Sequence, residues 1–334
     1  MKKILKGVCM IAVIALAFTS CKKTDEKTGM RFTGSTQTMV EESLDENRNY
    51  NAPNSDTRFE EGDQVMFYNL NVDDASYTNY GIYTADSEGK IVDFTYSSGT
   101  IINHNPTETA LFAFYPAEIV NNARLSHENE AMFEITDYQV YREKNGNPIA
   151  SKGSLCMASK DVVAAGVDEN HFLFDNIMGM LRLNLTSTSG KKIQSIVYED
   201  NTFNVTGRVH LKIDKVDPTV LTSLLNNYGQ EGNDVALANY IQESGYYVDA
   251  TQAGLKGKTI TLDCGEEGVQ LQANKVKSFY ITLRPLAMYN GFKLTFNFVG
   301  GETIEYTYDG TASGTSLMIR PNVIKKLTRN VDEL

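Results

Sequence analysis

The chain has 334 residues, 41% of them hydrophobic, with 18 Tyr, 15 Phe, no Trp and a formal net charge of −11. That is enough apolar material for two ordinary domains with their own cores. The acidic balance argues against a nucleic-acid partner, because neutralising phosphates takes clustered Lys and Arg, and no basic stripe interleaved with aromatics is visible.

Lys2, Lys3 and Lys6 precede an apolar run over residues 11–18 that stops at Thr19-Ser20-Cys21. A basic start, a short apolar core and small residues before a cysteine read as a cleaved export segment, too short to span a bilayer stably. The pattern resembles that of bacterial lipoproteins, in which the cysteine becomes the first residue and carries acyl chains. The resemblance implies a signal over residues 1–20, lipidation at Cys21 and a chain anchored to the outer membrane without spanning it. A simple secretory signal with Cys21 incidental is the alternative. Loss of Lys2, Lys3 and Lys6 with the signal takes the formal charge to about −14. Asp25 and Glu26, close to the lipid, resemble the surface-export signal of Bacteroidetes lipoproteins; their plain reading is a solvated tether. Of four cysteines, Cys156 and Cys264 remain for the folded part. Two cysteines so far apart make no framework, and buried free thiols are expected ahead of a pair.

Residues 21–58 are polar and poor in large apolar side chains, and they read as a tether. Within it Gln37-Thr38-Met39-Val40 has the composition of a short strand, and Arg31, Arg48 and Arg58 are single exposed-looking arginines. Globular sequence begins at Phe59, where Gly62-Asp63 makes a turn into an apolar run. Residues 79–84 and 91–96 flank Asp86-Ser87-Glu88-Gly89-Lys90, a hairpin loop. Residues 109–116 predict a buried strand closed by Pro116. Strands follow at 133–140, 172–174, 181–185, 193–198 and 206–213. Leu181, Leu183 and Leu185 alternate with Arg182 and Asn184, the signature of a sheet with one wet face. Residues 219–226 and 234–242 are candidate helical turns. Strands resume at 259–264, 277–284, 292–299, 303–308 and 317–327, with Gly300-Gly301 as a tight turn. Short strands at turn-marked spacing predict an all-β chain of two tandem antiparallel sandwiches, over 59–166 and 167–334, with the seam near 164–170.

Several stretches together resemble the fimbrillin-like proteins of Bacteroidetes. They are Phe59-Glu60-Glu61-Gly62-Asp63-Gln64-Val65-Met66-Phe67-Tyr68, Ala113-Phe114-Tyr115-Pro116, the Phe174-led run into Leu183, Val276 to Pro285 followed by Gly291-Phe292, and Leu317 to Ile324, where Asn322 stands at a usual Gly. What the resemblance implies is a pair of transthyretin-like β-sandwiches in a subunit, tip or anchor of a surface pilus, found at the outer membrane and in the fimbrium. It further implies that a protease removes the tether and its first strand, often after an arginine, leaving a groove that a strand of another pilin subunit fills. Arg48, in Glu46-Asn47-Arg48-Asn49, is the first candidate for that cut, with Arg58 and Arg31 behind it; each is otherwise a solvated tether residue. A host or microbial surface ligand is a further implied partner. The last strand, 317–327, is a conceivable donor, though it reads more simply as the final strand of the second sandwich.

An enzyme is not expected, nor any cofactor or metal. His104, His127, His171 and His210 are scattered without ligand spacing, and no nucleophile elbow or phosphate-binding glycine loop occurs. Asp73-Asp74 and Glu266-Glu267 read as loop residues, since neighbours on a strand point to opposite faces. The competing reading is a surface lipoprotein that binds polysaccharide for nutrient uptake, with Tyr246-Tyr247 or Tyr306 and Tyr308 as stacking platforms; the lack of Trp weighs against it.

Overall fold

A computed structural model describes residues 31–44, 55–69, 80–102, 111–119, 130–160, 170–212, 247–249, 254–288, 290–309 and 318–334. The described residues are all-β, with short 3₁₀ turns and no α-helix. In chain order the strands are β1 (Phe32–Thr36), β2 (Thr38–Ser43), β3 (Ser55–Asp56), β4 (Gln64–Asn69), β5 (Tyr80–Ala85), β6 (Ile91–Gly99), β7 (Leu111–Tyr115), β8 (Glu130–Ile135) and β9 (Tyr138–Val140). Then come β10 (Arg142–Lys144), β11 (Asn147–Ile149), β12 (Met157–Lys160), β13 (His171–Asn176), β14 (Gly179–Thr186), β15 (Lys192–Asp200), β16 (Thr206–Lys212), β17 (Tyr247–Asp249) and β18 (Leu255–Gly257). The last are β19 (Thr259–Asp263), β20 (Val269–Gln270), β21 (Lys277–Leu283), β22 (Leu286–Ala287), β23 (Phe292–Phe298), β24 (Thr303–Tyr308), β25 (Met318–Ile319) and β26 (Val323–Asn330).

The first sheet closes on itself in the order β1-β13-β12-β7-β4-β5-β6. Its interior is aromatic. Phe32, Phe59, Phe67, Tyr83, Phe94, Phe172 and Phe174 all have no exposed surface and pack together. Val65 and Phe67 of β4 point into this interior, while Met66 and Tyr68 point outward. That outer face is covered by β8, β16 and β17 through Phe133, Ile135, Val209, Leu211 and Val248. Two covered faces explain why β4 and β7 read as near-continuous apolar runs rather than alternating ones.

In the second half, the sheet β21-β14-β26-β2-β3 faces the sheet β24-β23-β15-β19-β9. Leu181, Leu183 and Leu185 of β14, with Phe279 and Ile281 of β21, meet Ile196, Ile260, Leu294 and Phe296 in a single buried core. Gly300 and Gly301, both at positive φ, turn β23 into β24 as their dipeptide predicts.

The strand pattern differs from the expected one in four places. Pairing is mixed, with β1–β13, β2–β26, β14–β26 and β9–β19 parallel. Strand 133–140 is two strands, because the hydroxyl of Thr136 accepts from Tyr138 N in a turn, and the halves join different sheets. The run 317–327 breaks at Pro321-Asn322 into β25 and β26. Asn322 has φ +58, a left-handed conformation that favours Gly and that Asn tolerates, so the position keeps its turn. Finally, β13 follows the expected seam yet pairs into the first sheet, whereas β8 and β9 precede it and pair with β16 and β19. Residues 219–226 and 234–242 lie outside the described residues.

Candidate functional site: the N-terminal strand pair

The segment expected to be a polar tether forms two strands, and each enters a different sheet. β1 is inserted between β13 and β6, parallel to the first and antiparallel to the second. Thr33 N donates to Asn170 O at 2.9 Å and Gln37 N to Phe174 O at 3.0 Å on one side, and Thr36 N donates to Lys90 O at 3.0 Å on the other. Without β1 the ring opens, and two rows of backbone groups lose their partners.

Side chains alternate as a strand requires. Phe32, Gly34 and Thr36 point inward; Thr33 and Ser35 are half-buried. The Phe32 ring stacks on Phe67 with centroids 4.4 Å apart and meets Tyr83 and Phe172 edge-on at 4.9 and 5.6 Å. Such pairs contribute about 0.5–1.5 kcal/mol each beyond area burial. Gly34 has a packing reason. A Cβ there would sit 2.6 Å from Phe94 Cε2 and 2.9 Å from Phe174 Cε2, closer than van der Waals contact allows. Thr36 donates its buried hydroxyl to Thr57 O at 2.6 Å, and Ser35 Oγ lies 2.8 Å from His171 Nε2.

β2 is held by charge. It runs parallel to β26, with Val40 N donating to Asn322 O at 3.0 Å and Leu44 N to Lys326 O at 2.8 Å. Met39 is buried against Met180, Tyr280 and Ile324. Glu41, only 5% exposed, ion-pairs with Arg182. Arg182 also donates through Nε to Asn184 Oδ1 at 3.0 Å and Ser278 Oγ at 3.2 Å, and lies over the Tyr280 ring at 5.7 Å. Glu42 pairs with both Arg320 and Lys325. The face of Arg182 and Asn184, read from alternation as wet, is therefore covered: Asn184 is buried and Arg182 receives Glu41. A polar row on a strand marks where carboxylates can dock as well as where water can.

The two strands are tied together at one junction. Asn176 at the end of β13 donates to Asn322 Oδ1 at 2.9 Å and to Thr57 Oγ1 at 3.2 Å, and Asn322 Nδ2 donates to Thr38 O at 3.3 Å. The links join the closed sheet, the turn that begins the terminal strand, the start of β2 and Thr57, just after β3.

Of the sequence candidates, Arg31 is exposed, immediately precedes β1, and pairs with Asp86 and, at 3.7 Å, with Asp93. Arg58 is exposed between buried Thr57 and Phe59, and it borders a cavity of about 580 Å³ also lined by Asp63, Tyr115, Arg182 and Tyr280. Burial raises the pKa of Asp63 above the ordinary carboxylate value, against the hydrogen bond it accepts from Glu60 N at 2.8 Å. Cys21 and Arg48 lie outside the described residues. Sequence reasoning missed Phe32, Glu41 and Glu42. The one signal for them was Phe32, one of two aromatics in residues 22–58, set in alternation with Gly34 and Thr36.

The other candidates take structural positions. Tyr306 and Tyr308 are half-buried on the core side of β24: Arg329 lies over the Tyr306 ring, and Tyr308 stacks on Phe292 at 5.1 Å, so neither offers an open platform. Tyr247 begins β17, and Tyr246 lies outside the described residues. Glu266 and Glu267 occupy an exposed turn. Cys156 and Cys264 are free thiols; burial pushes the Cys156 thiol up, and that of Cys264 up to about 12. His104, His127 and Asp73-Asp74 lie outside the described residues. Among the described residues no group of three or more His, Cys, Asp or Glu converges. The terminal strand β26 lies inside its sheet, between β14 and β2, and Asp332 fixes its end by accepting from Ser189 Oγ at 2.7 Å and Thr188 Oγ1 at 2.8 Å.

No family model matches the chain, and no curated protein matches its sequence. Solved structures do resemble it. A candidate cell adhesion protein from Bacteroides ovatus has 14% identity over 90% of this chain and 91% of that one, with a TM-score of 0.46. A second candidate cell adhesion protein, from Bacteroides uniformis, has 14% identity over 92% and 94%, with a TM-score of 0.46. The tip fimbrial protein of Porphyromonas gingivalis, truncated at its C-terminus, has 10% identity over 80% and 90%, with a TM-score of 0.33. These neighbours are described as candidate cell adhesion proteins and a tip fimbrial protein.

Proposed function

We propose that the chain is a subunit of a surface pilus, exported as a lipoprotein through Cys21 and assembled when its N-terminal strands are cut away and replaced by a strand of another subunit. One observation carries the reading: β1 and β2, adjacent in sequence and lying ahead of the globular run, fill slots in two sheets built otherwise from later residues. Removing them exposes backbone donors and acceptors together with an aromatic slot, and an incoming strand restores both. The two halves then correspond to sandwich domains near 59–166 and 167–334, with β13 completing the first sheet. A lipid on Cys21 places the precursor at the outer membrane, and the cut releases the working protein into the fimbrium, where a host or microbial ligand is met.

The positions of the strands in the chain favour one of the arginines. A cut after Arg31 leaves both strands attached to the body. At Arg58 the neighbours are held, with Thr57 buried and Phe59 exchanging backbone hydrogen bonds with Gly89 at 3.0 and 3.1 Å. A cut after Arg48 falls between β2 and β3 and frees residues 32–44 at a single bond. Trypsin treatment of the intact protein tests this: cleavage after Arg48 followed by ordered oligomers is expected, and an Arg48→Ala chain should stay monomeric. Efficient cleavage that leaves a monomer refusing any added strand would sink the proposal.

A further inference from the structure

Three cations line the place where β2 docks. Arg182 is on β14, Arg320 precedes β26 and Lys325 is on β26; their side chains are 26%, 27% and 12% exposed. Among the described residues their ion pairs run to Glu41 and Glu42 of β2. Arg320 Nε is buried without a hydrogen bond, so that side chain depends all the more on its carboxylate. When β2 leaves, the three cations lose these carboxylates, Arg182 on one face of the sheet and Arg320 with Lys325 on the other, in a protein whose overall charge is strongly negative. Partly desolvated charges left without partners are costly, and an incoming strand that does not neutralise them meets that cost.

We infer that this edge is a charge-selective receptor for an acidic strand from a different subunit, one carrying an apolar residue followed two and three positions later by carboxylates, as in Met39-Val40-Glu41-Glu42. The inference rests on the strand-replacement reading above and adds partner selection to it. Register sets the requirement. Glu41 lies beside Ile324 and Glu42 beside Lys325, so carboxylates at those two steps meet Arg182 on one face and Arg320 with Lys325 on the other. A second copy's terminal strand is the wrong chemistry, because Val323-Ile324-Lys325-Lys326-Leu327 would bring lysines to a basic edge. That strand is also committed to its own sheet, with Ile324 and Leu327 fully buried and pairing along β14. Like charges set side by side repel a wrong partner more effectively than weak contacts do.

The test uses the full-length chain after cleavage between β2 and β3, with synthetic peptides as probes. A peptide of residues 37–44 should enter the vacated edge and be retained. The same peptide carrying Glu41→Gln and Glu42→Gln should bind about tenfold or more weakly, and a peptide of residues 319–327 should not compete. The advantage of the acidic peptide should shrink in 1 M NaCl, where screening acts within about 3 Å. Because only the peptide is changed, no variant has to fold. Equal binding of the acidic and amide peptides, or entry of the basic one, overturns charge selection while leaving strand replacement intact. Failure of every peptide, including one spanning residues 31–44, overturns strand replacement itself.

Discussion

β1 and β2 are separated by Gln37 alone, yet different physics holds them. β1 is held by shape: Phe32 sits among Phe67, Tyr83 and Phe172, and Gly34 lets the backbone pass close to the rings of Phe94 and Phe174. β2 is held by charge: one methionine is buried, and two glutamates meet three cations. An apolar slot accepts any strand of suitable volume, whereas a charged edge accepts some strands and rejects others. In the proposed assembly by strand replacement, the pair would divide two tasks, affinity at the first sheet and selection at the second.

The largest effect should come from Phe32→Ala. Truncating a fully buried phenylalanine costs about 3–5 kcal/mol, and denaturant unfolding should report that loss together with fast amide exchange at Thr33 and Thr36. The loss should be insensitive to salt; a strong salt dependence would break the division between the two strands. A smaller loss, about 1–3 kcal/mol for overpacking, is expected for Gly34→Val, whose side chain would enter the space of two phenylalanine rings. Here β1 should loosen while β2 keeps its protection, and loss of both together would show that the strands dock as one unit.

Acid sharpens the comparison at the other end of the chain, where Asp332 does for β26 what the glutamates do for β2. The Ser189 hydroxyl first, then the Ser189 amide and the hydroxyls of Thr188 and Ser187, hold this carboxyl well below its ordinary value of 3.8, against some burial. Its folded value is depressed, so its contribution is fully present above pH 3.8 and is lost only as pH falls through the lower folded value. Amide exchange at Thr188 and Ser189 should stay protected at pH values where ordinary carboxylates are already protonated. Asp332→Asn should remove that pH dependence.

Much of the fold was legible because local chemistry and tertiary demand agreed. The loop over 86–90, the Gly300-Gly301 turn and the buried run ending at Pro116 each carry their own signal in turn residues or β-branched and aromatic content. β1 did not. Thr33, Ser35 and Thr36 look like tether, and what makes them a strand is the slot between β13 and β6, assembled from residues 56 to 138 positions away. Glu41 and Glu42 carried no signal of their own within the polar segment, and Arg182 looked like a wet face; their meaning exists only in the pair. The antiparallel expectation failed for the same reason, since strands brought in from a distant part of the chain, such as β1 and β2, are free to lie parallel to their new neighbours.

The most direct measurement of the central claim is native mass spectrometry of the intact protein after cleavage after Arg48, with an isotope-labelled peptide of residues 31–44 added in excess. The account predicts a folded body that first keeps its own segment without a covalent bond and then exchanges it, one for one, for the labelled strand. A body that unfolds when the segment departs, or that never releases it, would contradict the claim that β1 and β2 are replaceable strands.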